Sequence, residues 1–246
     1  MAQPTLPEYQ SSELHHAAGV DYYGRYLIAL IDLDEVHIHE SPRRPDAETT
    51  FEVYKHDRRP ILTGIEENHI MSSFCFFVKG FNISFKNRSD QAVLTMKRPA
   101  CRCCGIFLPC CCSDELIVES PPGNHVGTVR ENWSLGGVSF DILEPRGEPI
   151  MKLTSDCCAI SASKNLENDV KFKIHDLRTT SEIGEVVHNL DSHSHERRIV
   201  NNYCVSFSRA LPVHWKALMI GSAILLNFRY FKNPRQPRQV AGEQQG

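Results

Sequence analysis

The sequence predicts a mainly β fold: one domain of antiparallel hairpins that closes on itself, with a single hydrophobic segment near the C-terminus. Three observations carry this. Apolar and polar residues alternate with a period of two at Phe81-Ile83-Phe85, at Val138-Phe140-Ile142 and at Val170-Phe172-Ile174, the pattern of strands with one buried face. Each run is followed by turn chemistry and then a second apolar stretch, as in a hairpin. The segment Ala217 to Leu226 (ALMIGSAILL) has no charge and is apolar on all sides, so a helix there is buried all round, in protein or in lipid.

Taken in order, residues 1–20 are polar and small and read as a disordered tail. The barrel domain is assigned to 21–231. Its first apolar run, Tyr26 to Ile31, fits a short helix or a strand, and Ser41 to Thr50 (SPRRPDAETT) is a loop. The first hairpin turns through Asn87-Arg88-Ser89-Asp90 towards Val93 and Leu94. The second turns through Glu144-Pro145-Arg146-Gly147 towards Ile150 and Leu153, and the third through Thr179-Thr180-Ser181 towards Ile183 and Val186. Pro121-Pro122-Gly123 marks a further turn between Leu116–Val118 and Val126–Val129. Repeated hairpins of this kind suggest a meander that closes and so removes its exposed edges.

The terminal helix is assigned to 213–231, with Asn233-Pro234 as its stop and 232–246 as a basic, polar tail. Its charge-free stretch spans only about 15 Å, half of a roughly 30 Å hydrocarbon core. Lengthening it to 213–231 takes in His214, Lys216, Asn227 and Arg229. Two placements stay open, inside the barrel or across a bilayer. The cations Arg229, Lys232, Arg235 and Arg238 follow the helix. A cytoplasmic barrel with a spanning helix would put them outside, against the positive-inside tendency. They therefore favour a helix held in the barrel or one that only dips into lipid. They are also candidate contacts for anionic lipid.

A chain of 246 residues with 41% apolar content can bury one large core, and a net charge of −3 supplies no global drive towards nucleic acid. The N-terminus has no basic start followed by an apolar run and no Gly at position 2, so neither a secretory signal nor myristoylation is expected. No nucleophile elbow, phosphate loop or HExxH string is present, and covalent catalysis is not expected.

Six of the ten cysteines fall in CRCCGIFLPCCC: Cys101, Cys103, Cys104, Cys110, Cys111 and Cys112. Three readings compete. Structural zinc wants four converging ligands, usually as spaced pairs; these cysteines are crowded, and Cys157-Cys158 are adjacent and so splayed. Buried thiols are the second reading. The third is S-acylation, for which adjacent cysteines beside Ile106, Phe107 and Leu108 are the expected substrate. One acyl chain anchors only marginally, so several cysteines make chemical sense. S-acylation is the favoured reading and predicts a membrane tether.

The block from Phe51 to Phe231, roughly three quarters of the chain, resembles the phospholipid scramblase family. The resemblance rests on FNISFKNRSDQAVLTMKRPACRCC, on LPCCCSDELIVESPPGNHVGTV, on the DIL…IMKL hairpin leading to Cys157-Cys158, and on KALMIGSAILLNFRYF. It implies a closed tubby-like β-barrel of about 12 strands around a hydrophobic C-terminal helix. It implies palmitate on the cysteine string, the cytoplasmic face of the plasma membrane as location, and a nuclear pool of unacylated protein. It also implies calcium-stimulated, ATP-independent movement of phospholipids between leaflets, or an adaptor role at the membrane without transport. Nucleic acid is not an expected partner, since only Arg43-Arg44 and Arg197-Arg198 cluster basic charge. One departure matters. The family's acidic calcium segment falls here on Ile199 to Ala210, which contains no Asp or Glu. Asn201 and Asn202 offer amide oxygens without charge, so weak or absent calcium binding is expected there.

Two further clusters carry polar ligands. His188, Asp191, His193 and His195 fit a transition metal on paper, but their polar setting reads better as a solvated loop. Asp32, Asp34 and Glu35 read as an exposed loop or helix start.

Overall fold

The computed structural model describes residues 26–41, 49–55, 59–67, 80–99, 114–132, 137–155, 169–189 and 202–231. They form a closed barrel of twelve antiparallel strands. The strands are β1 (Glu35–Glu40), β2 (Thr50–Tyr54), β3 (Pro60–Glu67), β4 (Phe81–Asn87), β5 (Ala92–Arg98) and β6 (Glu115–Ser120), then β7 (Asn124–Glu131), β8 (Ser139–Leu143), β9 (Pro149–Ser155), β10 (Val170–Asp176), β11 (Glu182–Asn189) and β12 (Asn202–Phe207). Neighbours in sequence pair throughout, and β1 closes on β12 with Val36 opposite Val205 and Ile38 opposite Tyr203. The twelve-stranded meander is the architecture the resemblance implied. The three alternating runs fall on β4, β8 and β10, and their turns join the predicted hairpins. Of the two readings of the run Tyr26 to Ile31 the structure takes the helix: Tyr26 and Leu27 are α-helical and a 3-10 turn follows over Ile28–Leu30.

A meander of this kind sorts its connections by end. Strands β1, β3, β5, β7, β9 and β11 all finish at one end. There the chain continues through 41–49, 68–80, 99–114, 132–138, 156–169 and 190–201. At the opposite end the connections are 55–59, 88–91, 121–123, 144–148 and 177–181. We call these the loop end and the turn end. After β12 the chain passes through 208–212 at the turn end and runs back up the barrel axis as α1 (Val213–Leu226), so the helix C-terminus arrives at the loop end.

All fourteen residues of α1 are buried, including His214, Lys216 and Ser222. The helix packs against β6, β7, β8 and β12, and Leu218, Met219, Ile220 and Leu225 join one continuous core with Phe85, Phe140, Phe172 and Phe207. Of the two placements left open by hydropathy, the structure takes the first. Each Leu, Ile or Met so enclosed contributes about 1.5–3 kcal/mol relative to exposure. Among the described residues no helix is long and apolar enough to cross a membrane.

Two glycines let the wall approach the helix. A Cβ at Gly184 would meet Met219 Cε at 2.5 Å and collide with the Ser206 carbonyl oxygen. One at Gly127 would meet Leu218 Cδ1 at 2.9 Å and collide with the Leu143 carbonyl oxygen. Gly184→Ala should therefore lower stability by about 1–3 kcal/mol through overpacking. The midpoint of urea unfolding reads this directly, and an unchanged midpoint would mean that Met219 and the Ser206 carbonyl give way at Gly184 without cost.

At the turn end the segment before β1 is locked against the helix. The Lys216 ammonium donates to the carbonyls of Ile31 (2.6 Å), Leu33 (2.8 Å), Arg209 (3.0 Å) and Leu30 (3.2 Å), and lies 5.3 Å from the centre of the Phe207 ring. Arg209 pairs with Asp34 at 2.8 Å.

Candidate functional site at the loop end of the barrel

The loop end receives both the cysteine segment and the end of the helix, and one polar network joins them. The segment 99–114 leaves from Arg98, the last residue of β5, and returns at Asp114, just before β6. These two side chains are 8% and 4% exposed and form a bidentate pair: Arg98 Nε donates to Asp114 Oδ1 at 2.6 Å, and Nη2 donates to Oδ2. A planar guanidinium on a carboxylate gives two parallel charge-assisted bonds and fixes orientation as well as distance. The guanidinium also lies 5.7 Å from the centre of the Phe81 ring, and the Glu131 amide donates to the Asp114 carbonyl at 2.7 Å. Both roots of the cysteine segment are thus pinned.

Beyond α1 the chain makes one π-helical turn, Asn227–Phe231, whose side chains seat on the rim. Asn227 Nδ2 donates to Glu40 Oε2 at 2.8 Å, and the Tyr203 hydroxyl donates to Asn227 Oδ1 at 3.0 Å. Phe228 stacks on Phe81 at 3.8 Å and Phe231 on His188 at 4.0 Å. Arg229 Nε donates to Glu131 Oε2 at 3.1 Å and stands 3.9 Å from Asp114 Oδ2, while the Tyr230 hydroxyl donates to Glu131 Oε1 at 2.6 Å. Arg98, Asp114, Arg229, Glu131 and Tyr230 therefore form one chain of contacts from the cysteine roots to the helix end.

The electrostatics follow from burial and carboxylates. Burial and then Glu40 hold the Tyr203 hydroxyl well above its ordinary range, and burial and then Glu131 do the same for Tyr230. Burial alone would lower the Arg229 guanidinium; Glu131, Tyr230 and Asp114 outweigh it and keep it charged. A cation is also well placed there because the helix C-terminus carries partial negative charge. The arrangement can hold a segment in register and present one partly exposed cation, 43% exposed at Arg229.

A family model described as Scramblase matches residues 29–233. The chain belongs to the scramblase family. It is 32% identical to phospholipid scramblase 4 of Mus musculus, over 61% of this chain and 45% of that protein. It is 25% identical to phospholipid scramblase 1 of Homo sapiens, over 87% of this chain and 68% of that protein, and 26% identical to human phospholipid scramblase 2, over 69% and 56%. The chain thus spans about half to two thirds of these relatives, as a divergent member. No solved structure matches it.

As a scramblase-family barrel, the chain places its sequence-predicted site residues unevenly. Cys101, Cys103, Cys104, Cys110, Cys111 and Cys112 lie outside the described residues, as do Cys157, Cys158, Asn201, Lys232, Arg235 and Arg238. Arg229 sits on the loop-end rim, engaged with Glu131. Asn202 opens β12, 8% exposed, opposite His39 and Asn189. His188 belongs to β11 and points into the barrel against Phe231; Asp191, His193 and His195 are outside the described residues. Asp34 pairs with Arg209 and Glu35 starts β1. Sequence reasoning missed the clamp itself. Arg98 and Asp114 flank the cysteine run with opposite charges, but no local pattern in the sequence pairs them.

Proposed function

We propose that this protein is a phospholipid-scramblase-like membrane protein. It moves phospholipids in both directions between leaflets without ATP, anchored by palmitate on Cys101, Cys103, Cys104, Cys110, Cys111 and Cys112. The observation that carries this reading is the family match across 29–233. The sorting of connections supports the tether. The cysteine segment leaves from the end where Arg229 stands and where 232–246 departs. Acyl chains and the cations Arg229, Lys232, Arg235 and Arg238 would then meet one surface. Each charge near an anionic leaflet contributes about 1 kcal/mol. Lipid movement of this kind makes and breaks no covalent bond, so the protein is a translocator and not an enzyme. Its location is the cytoplasmic face of the plasma membrane, with a nuclear pool when unacylated. Calcium binding at the Asn201–Asn202 segment is weak or absent, since it offers amide oxygens and no carboxylate.

The test is reconstitution in liposomes carrying fluorescent phospholipid, with and without calcium. The expected result is exchange between leaflets that needs no ATP. Absence of exchange at every calcium concentration would rule out translocation. One observation favours a second reading, a membrane-tethered lipid-sensing or protein-binding adaptor that moves no lipid. The helix fills the barrel instead of offering a path across a bilayer. Replacing all six cysteines with Ser should release the protein from membranes under both readings. Recovery of cellular function by a substitute lipid anchor, in a protein inactive in liposomes, would select the adaptor.

A further inference from the structure

The outer wall of the barrel carries a second group of residues at the seam where the first strand meets the last. On β1, Glu35 and His37 are two residues apart and so share the outward face. Cys204 on β12 stands directly opposite His37 in the β1–β12 register. His37 Nε2 is 2.8 Å from a Glu35 carboxylate oxygen, and the ligand atoms of Glu35, His37 and Cys204 all lie within 4.8 Å of one another. The Cys204 thiol is half-buried and not in a disulfide. Glu185 of β11, paired with Ser206 of β12, lies diagonally across from it and adds a second carboxylate.

We propose that Glu35, His37 and Cys204 form a binding site for a zinc-class divalent transition ion that staples the β1–β12 seam. The donor set argues for the class of metal. A thiolate and an imidazole suit zinc and its neighbours, whereas calcium and magnesium take oxygen ligands. The geometry argues for feasibility. Tetrahedral zinc holds sulfur, nitrogen and oxygen donors roughly 3.5 Å apart. The three side chains reach that separation by moving their tips without moving the strands. Three protein ligands leave a fourth position for water. The balance of charge also fits. Glu35 and Glu185 both face the thiol, and a dication replaces its proton, which leaves to solvent, so that the thiolate gains a counter-charge among the carboxylates. The location gives the ion a consequence. The β1–β12 pair closes the barrel, so an ion bridging it binds the folded state and stabilises it by mass action.

Cobalt reports this site, because a thiolate ligand gives a near-ultraviolet charge-transfer band and tetrahedral geometry gives intense visible bands. The probe is Co2+ added to the full chain with the nine other cysteines (Cys75, Cys101, Cys103, Cys104, Cys110, Cys111, Cys112, Cys157 and Cys158) replaced by Ser. One equivalent should produce both sets of bands, and Zn2+ should abolish them by displacement. Cys204→Ser and His37→Ala should each lose the thiolate band, and His39→Ala should keep it. In the wild-type chain Zn2+ should raise Tm, and His37→Ala should remove that rise even if it lowers the starting Tm. Absence of a thiolate band, its persistence in His37→Ala, or an equal rise in Tm with Ca2+ would overturn the proposal. None of these results depends on whether the protein moves lipid.

Discussion

Replacing Arg98 with Met lowers the stability of the barrel by about 3–5 kcal/mol, because it leaves the Asp114 carboxylate buried without its main partner. For a domain of this size that is a fall in Tm on the order of 10 °C. Asp114 is 4% exposed, so water cannot take over the two bonds that Arg98 supplied. Among the described residues Arg229, 3.9 Å from Asp114 Oδ2, is the remaining cation beside it, and it is already shared with Glu131. Drawing it towards Asp114 would weaken the Glu131 contact, so compensation is partial. The pair itself is a different matter from its breaking. Arg98→Met combined with Asp114→Leu removes both charges, and a buried ion pair replaced by apolar groups of similar volume is often neutral. The double variant should recover most of the loss. Thermal unfolding of the wild type, both single variants and the double variant checks this. A double variant as unstable as Arg98→Met would show that the pair stabilises in its own right, beyond satisfying its own charges.

The clamp also shows where sequence reasoning stops. Periodicity reads local geometry, and it located β4, β8 and β10 because one face of each meets the core while the other meets water. Turn chemistry then paired them, since Asn87–Asp90 and Glu144–Gly147 can do little else. Pairing partners across space are another matter. With 30 acidic residues in the chain, nothing local selects Asp114 as the partner of Arg98. The same holds for Glu131 and Arg229, brought together from β7 and the terminal turn. The terminal helix was legible as a helix and not as to place, because hydropathy treats lipid and protein interior alike. The discriminating features are the contact of Gly127 and Gly184 with Leu218 and Met219, and those are visible only once the wall is built. The outward triad at the seam was hidden for a similar reason. The alternation in Glu35-Val36-His37 reads as an ordinary strand until Cys204 arrives from the far end of the chain.

Lys216→Met should cost about 2–4 kcal/mol at pH 7, and the cost should grow as the pH rises. The four carbonyls around the ammonium belong to Leu30, Ile31, Leu33 and Arg209, in segments that enclose the turn end. Met fills the volume and donates nothing, so the closure loses these bonds from the helix, at about 1 kcal/mol per lost bond. The pH dependence has a definite sign. Burial lowers the Lys216 pKa from 10.5 to about 8, with Asp32 and Asp34 opposing the shift. Between those values the folded protein has released this proton while the unfolded chain still holds it, so stability rises with pH. Below about pH 8 the cost of burying the charge is present in full; above 10.5 it is gone. The wild type alone would not reveal this, because the Cys204 thiol, pushed up to about 12 by burial and Glu35, pulls the other way above its ordinary value. That drift is common to wild type and variant and cancels in their difference. Urea unfolding of both proteins at pH 7 and pH 9.5 therefore isolates Lys216. The gap between them should widen at the higher pH, and a constant gap would mean that the carbonyl cage holds the ammonium as firmly as water does.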